Sequence, residues 1–191
     1  EIEEFLEIRK PTGDQNRKCL NIHQGVKISN AFMEAVEKRA EWKLISPKTK
    51  KVVSIVDAFD LWCKILEIRH QTGEPFILFI DAVNANRCQQ YKDRNYIVET
   101  SNLCTEITLH TDENKSGVCC LGSINLEYWD DITEIGTDLF ISDCIEYLNL
   151  VLEDFIQQTE GVKGFEKARR AAIEERSLGL GVLLLLLIAF L

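Results

Sequence analysis

The segment Ser101-Asn102-Leu103-Cys104-Thr105-Glu106-Ile107 sets a carboxamide, a thiol and a carboxylate at alternating positions. In an extended chain successive side chains point to opposite faces, so Asn102, Cys104 and Glu106 would share one face and Leu103, Thr105 and Ile107 the other. Same-face Cα atoms then lie roughly 6.6 Å apart, and one small polar substrate could touch all three. Spacing alone favours the plainer reading of a half-buried strand with a packed cysteine and a solvated glutamate. A cysteine hydrolase is a further reading, but a thiol nucleophile needs a base within hydrogen-bond reach. His110 would lie roughly 20 Å along an extended strand from Cys104. His23 and His70 could serve only through tertiary contact, and both also read as ordinary surface or packing histidines.

The elements that must position this segment follow from periodicity and turn chemistry. Ile2, Phe5, Leu6 and Ile8 lie among acids and predict a short helix over Glu1–Lys10, stopped by Pro11 and the Thr12-Gly13-Asp14 turn. Asn21–Ile28 reads as a strand. Ser29 or Asn30 can cap a helix whose Phe32, Met33 and Val36 form an apolar stripe through about Ala40. Ser46–Lys50 is a polar turn, and Asp57 opens a longer helix with Phe59, Trp62, Ile65, Leu66 and Arg69 at helical intervals. Thr72-Gly73-Glu74-Pro75 ends it. The run Phe76–Ile80 predicts a strand buried on both faces, and residues 84–96 a polar loop. Val98–Leu109 and Gly117–Leu126 read as extended segments around the turn-rich Asp112–Ser116, able to pair as an antiparallel ribbon. Ile141, Cys144, Ile145, Leu148, Val151, Leu152 and Phe155 mark one face of a long amphipathic helix. A basic segment from Lys163 to Arg176 follows. Strands alternating with helices, without repeats, predict an α/β architecture, and no linker divides the chain.

Composition narrows the function classes. With 22 Lys and Arg against 31 Asp and Glu, the formal charge is -9, which argues against nucleic-acid binding. A phosphate-bearing substrate would need a local cationic pocket. The 7 cysteines are odd in number, none is spaced as CxxC, and nothing like a cleavable signal stands at Glu1, which together predict a reducing, cytoplasmic setting. Adjacent Cys119 and Cys120 would point to opposite faces of a strand and so would not share one zinc ion. No metal site is expected. The apolar end Leu178–Leu191 is short for a membrane span of about 20 residues, and no membrane anchor is expected.

Ser101–Ile107 resembles the active-site motif of class I ribonucleotide reductase large subunits. Three further blocks match that family in order. They are His70-Gln71-Thr72-Gly73-Glu74-Pro75 leading into Phe76–Asp81, then Val118-Cys119-Cys120-Leu121-Gly122-Ser123-Ile124-Asn125-Leu126-Glu127, then Glu175-Arg176-Ser177-Leu178-Gly179-Leu180-Gly181-Val182. The similarity runs from Phe5-Leu6-Glu7-Ile8-Arg9-Lys10 to about Val182. It implies that residues 1–182 are a central part of a ten-stranded α/β barrel and that 183–191 are a divergent apolar tail.

The resemblance also implies roles. Cys104 would become a thiyl radical that abstracts the ribose 3′ hydrogen, Glu106 would be the general base on the 3′ hydroxyl, and Ser101 and Asn102 would bind substrate, Asn102 near the reacting carbons. Cys119 would be one member of the redox pair that reduces the 2′ position and ends as a disulfide. Cys120 is the neighbouring alternative, and the Val-Cys register before Leu121 favours Cys119. A hairpin centred near Glu113 would set Cys119 opposite Thr108, which does not explain how two thiols converge on one ribose. Cys19, Cys63, Cys88 and Cys144 match no family motif. The implied substrate is a ribonucleoside diphosphate. The implied partners are a metal-containing small subunit that supplies the radical, thioredoxin or glutaredoxin, and a second large subunit in a homodimer. No cofactor is expected on this chain. In the family the first redox cysteine and the effector loops that bind ATP and other nucleotides precede this stretch, and the radical-relay tyrosines and terminal dithiol follow it. The stretch alone is therefore expected to be inactive, and an inactive remnant acting only as an interaction protein is the competing reading.

Overall fold

The computed structural model describes residues 2–183. Contacts gather these residues into two compact units that divide between Thr108 and Leu109, where the sequence carries no linker signature.

In the first unit, helix α1 (Ile2–Glu7) buries Leu6 and is followed by strand β1 (Gly25–Ile28). Ser29 accepts a hydrogen bond from the Phe32 amide and so caps helix α2 (Asn30–Glu37), satisfying an N-terminal donor that the helix itself cannot. Strands β2 (Glu41–Ile45) and β3 (Val52–Asp57) form an antiparallel hairpin around the expected Ser46–Lys50 turn. The hairpin itself is not among the sequence expectations. Asp57 caps helix α3 (Ala58–Thr72) through the Asp60 amide, and Gly73 ends it in the left-handed conformation at φ 80°. The face that α3 buries is Ala58, Leu61, Ile65 and Ile68, whereas Leu66 of the expected stripe is exposed. These residues join Leu6, Ile28, Phe32 and Val36 in the core, with Trp42, Leu44 and Val56 of the hairpin packed on it.

Strand β4 (Phe76–Phe79) pairs parallel with β1 in the register Gly25 to Phe76 through Ile28 to Phe79. The expectation of a strand buried on both faces does not hold, because Leu78 alone of its residues is buried, and among the described residues β1 is its one strand partner. Leu78 is buried, Phe79 is exposed, and Ile80 already opens helix α4 (Ile80–Ala85). The expected polar loop over 84–96 instead contains the end of α4 and helix α5 (Gln89–Asp93), which buries Tyr91 edge-on against Tyr96 at 5.7 Å between centroids. Polar composition hid two helices of about one turn, too short to show a periodic stripe.

The second unit holds strand β5 (Cys119–Asn125), helices α6 (Trp129–Ile135), α7 (Thr137–Gln158) and α8 (Glu166–Glu175), and strand β6 (Ser177–Leu183). The expected antiparallel ribbon is absent. Residues 98–109 contain no strand, and β5 pairs parallel with β6, Cys119 facing Ser177 and Asn125 facing Leu183. A parallel pair needs a long crossover, and α6, α7 and α8 supply it. Leu148, Leu152 and Ile156 are the buried face of α7, so the apolar stripe is real, while Ile141, Ile145 and Val151 are exposed. Mixed α/β content matches the expectation, and the described strands form three two-stranded sheets. The apolar tail beyond Leu183 lies outside the described residues.

Candidate functional site

The Ser101–Ile107 segment is a folded-back loop of the first unit. The Thr105 amide donates to the Asn102 carbonyl at 3.2 Å, and Thr105 takes a left-handed φ of 69°. Asn102 closes the loop from its side chain: its Oδ1 accepts from the Ile107 amide at 3.1 Å and its Nδ2 donates to Glu106 Oε1 at 2.6 Å. The Ser101 hydroxyl lies 2.6 Å from the Ile107 carbonyl. The expected alternation of Asn102, Cys104 and Glu106 along one strand face is thus replaced by a turn. The reason is local, since an asparagine side chain that bonds backbone a few residues on competes with extended pairing. The outcome still draws the same residues together. Asn102 and Glu106 are in contact, Cys104 sits exposed at the turn between them, and Ser101 braces the base.

The approach to this loop is held by residues that sequence reasoning left in a polar stretch. Val98, buried to 1% exposure, has its amide bonded to Asn84 Oδ1 at 2.9 Å and its carbonyl bonded to Asn84 Nδ2 at 2.9 Å. Lys27 of β1 donates to the Glu99 carbonyl at 2.7 Å. Asp81, which begins α4 with Ile80, accepts from the Asn30 amide at 2.7 Å and ties α4 to the start of α2. No local sequence signal marks Asn84, because its bonds to Val98 are tertiary.

Cys119 lies in the second unit, at the first residue of β5. Burial pushes its thiol pKa up, and the neighbouring Cys120 adds to the rise. Cys120 packs instead on the cluster of Leu152, Ile156 and Ala172, as alternation along a strand requires. Gly179 on β6 leaves space beside Cys119, for a Cβ there would stand 3.8 Å from the sulfur and 2.6 Å from Leu121 Cδ2.

Two of the histidines have other partners. His23 Nδ1 is 2.5 Å from Glu74 Oε1, and His110 Nε2 is 3.2 Å from Asp112 Oδ2. His70 is exposed on α3. Glu74 is buried within the Thr72–Pro75 turn, where it also accepts from the Gln24 amide at 2.8 Å and faces Arg9 Nε at 3.3 Å. Burial alone would raise its pKa, but the His23 hydrogen bond, the Gln24 amide and the Arg9 charge together hold it below the usual carboxylate value. Among the described residues no group of three or more His, Cys, Asp or Glu side chains is arranged to hold a metal ion, and no helix is long and apolar enough to cross a membrane.

Comparison with known proteins gives these arrangements a context. The family model described as "Ribonucleotide reductase, barrel domain" matches residues 1–186. A ribonucleoside-diphosphate reductase large subunit from Frog virus 3 (isolate Goorha) is 43% identical over 182 residues, covering 94% of this chain and 32% of that protein. The ribonucleoside-diphosphate reductase subunit alpha of Chlamydia trachomatis serovar D is 30% identical, covering 96% of this chain and 20% of that protein. Among solved structures, the Actinobacillus ureae class Id ribonucleotide reductase alpha subunit aligns with a TM-score of 0.74 at 32% identity, over 95% of this chain and 31% of that one. The chain therefore spans about a third or less of the length of these relatives.

Proposed function

Because the chain belongs to the ribonucleotide reductase barrel-domain family, we propose that it carries the radical-bearing part of a ribonucleoside-diphosphate reductase large subunit. Residues 1–182 then belong to the catalytic ten-stranded barrel, and 183–191 form a divergent apolar tail. The observation that carries the reading is the Asn102 to Glu106 bond of 2.6 Å across a turn whose exposed tip is Cys104. A single loop thereby presents a thiol, an oriented carboxylate and a carboxamide to one substrate.

The chemistry divides among them. A thiyl radical at Cys104 takes the ribose 3′ hydrogen atom, so an S–H bond forms as the C3′–H bond breaks and the unpaired electron moves to carbon. Glu106 removes the 3′ hydroxyl proton, a transfer the sulfur radical cannot perform. Asn102 holds Glu106 in place and hydrogen-bonds substrate beside it, while Ser101 supports substrate binding and the loop base. Cys119 supplies one of the two thiols that reduce the 2′ position and end as a disulfide. Ribonucleoside diphosphate is the substrate, a metal-containing small subunit is the radical source, thioredoxin or glutaredoxin restores the thiols, and the large subunit pairs as a homodimer in the cytoplasm.

The test is turnover of substrate deuterated at C3′ by the complete reductase. A primary isotope effect is expected, and Glu106→Gln lowers turnover by about 10²- to 10⁴-fold, the usual contribution of a positioned general base. Full activity in Glu106→Gln contradicts the assignment.

A further inference from the structure

We infer that Asn84 is a positioning residue for the reaction: its side-chain amide clamps the Val98 backbone and so sets the loop that carries Cys104. This rests on the functional reading of that loop given above. Residues 98–109 contain no strand, so the approach to Ser101 lacks the repeated ladder bonds that hold a sheet residue in place. One side chain substitutes for a neighbouring strand at the critical point. Asn84 accepts from the Val98 amide and donates to the Val98 carbonyl, both at 2.9 Å, and a further 3.1 Å bond from Nδ2 to the Ile80 carbonyl fixes its rotamer on α4. Only a carboxamide offers an acceptor and a two-hydrogen donor in that geometry.

The clamp sits where it can act on the chemistry. Val98 is buried and is separated from Ser101 by Glu99, whose carbonyl is held by Lys27, and Thr100. From Ser101 to Ile107 the loop closes on itself through the Ser101 hydroxyl and both ends of the Asn102 amide. A loop closed on itself keeps its shape but not its place. Asn84 ties it to α4, and Asp81 ties α4 to the first unit's core through the Asn30 amide. Small misplacement is costly in catalysis, because a displaced reacting atom loses the orientation that makes the step effectively unimolecular.

The chemistry of the clamp provides its own diagnostic. In Asn84→Asp the acceptor to the Val98 amide is kept, but the second oxygen faces the Val98 and Ile80 carbonyls with no hydrogen to give. Protonating that carboxyl restores one donor; the two carbonyls favour the protonated form, and the Arg87 guanidinium, which donates to the residue-84 carbonyl at 2.5 Å, opposes it. Loop order in Asn84→Asp should therefore return as the pH falls toward about 5 and below, whereas Asn84→Ala has no group to protonate and stays loose.

The experiment is hydrogen exchange followed by mass spectrometry on the full 191-residue chain, wild type and both variants, at each pH normalised to wild type. Peptides over 98–109 are compared with peptides over α3. At neutral pH both variants should exchange about tenfold faster over 98–109 while α3 is unchanged, the effect of one lost buried hydrogen-bonded pair on local opening. Only Asn84→Asp should recover in acid. In the complete reductase both variants should lose kcat with little change in KM. Unchanged exchange over 98–109, equal acceleration over α3, or identical pH behaviour of the two variants would overturn the inference. If Cys104→Ser retains turnover, the functional reading fails, and the exchange result still stands or falls separately.

Discussion

The two units handle their cysteines in opposite ways. In the first, Cys104 sits exposed on a turn shaped by side-chain amides and a hydroxyl. In the second, Cys119 sits half-buried on a strand registered by backbone bonds to β6, and burial raises its thiol pKa. A loop held by side chains can aim a group at substrate from its tip, but its placement depends on a few replaceable contacts. A ladder fixes a group through many bonds and at the same time buries it. Under the roles proposed above, the exposed Cys104 would be the thiol that meets substrate and the half-buried Cys119 the one kept protonated until it reacts.

The sharpest way to break this contrast is to replace each sulfur by oxygen in the complete reductase. Cys104→Ser should abolish turnover without lowering the melting temperature, because the serine O–H bond is too strong to supply the radical and the site is exposed. Cys119→Ser should permit initial chemistry but block repeated turnover and the substrate-dependent disulfide. Cys120→Ser should leave both intact and instead cost about 1 kcal/mol of stability, since it sets a hydroxyl against Leu152, Ile156 and Ala172. Deoxynucleotide formation beside a thermal melt, and mass-spectrometric mapping of the disulfide, decide these outcomes. A disulfide through Cys120 would reverse the assignment of the redox thiol.

The same contrast explains what could be read from the sequence. Of the two cap candidates Ser29 is the one that caps α2, Asp57 caps α3 and Gly73 ends it, because capping depends on residues within one turn. Extended character at Cys119–Asn125 was legible as well. Its partner was not, since alternation says which face a residue occupies but not which strand lies beside it, and β6 is far along the chain. The Ser101–Ile107 loop was misread as extended for another reason. Its turn depends on the Asn102 side chain choosing the Ile107 amide and on Thr105 accepting a left-handed φ, neither of which leaves a periodic trace. The Asn84 clamp is tertiary and leaves no local trace at all.

Two glycines of the second unit sharpen the comparison at the level of packing. A Cβ at Gly117 would stand 2.8 Å from Leu109 Cβ, an atom fixed to the backbone, so Gly117→Ala should cost about 1 to 3 kcal/mol. A Cβ at Gly179 would meet Leu121 Cδ2, the far end of an exposed side chain that can swing away. Gly179→Ala should therefore shift the melt little, and its effect should fall on the reaction rate of the Cys119 thiol with an alkylating reagent. Equal destabilisation by both variants would show that strand β5 is not held as described.

The smallest expected effect separates the units by acid. Glu74 is buried in the first unit against His23, the Gln24 amide and Arg9, and its pKa lies below the ordinary value of 4.5. A carboxyl whose pKa is lower folded than unfolded binds fewer protons in the native state. Its stabilising contribution is complete above the unfolded value and is lost as the pH falls from there through the lowered folded one. Glu153 in the second unit is also lowered, first by its hydrogen bond to Arg176, but both side chains are well exposed and solvent screens the pair. Acid should thus loosen α3 before α7. Hydrogen exchange over α3 and α7 between pH 6 and pH 3 reads the difference, with each pH corrected for intrinsic exchange. Glu74→Gln should be less stable than wild type at pH 6, by under about 1 kcal/mol because His23 and Arg9 stay partly solvated, and should show a shallower loss on acidification. An acid limb as steep in Glu74→Gln as in wild type would mean that another carboxyl governs the first unit.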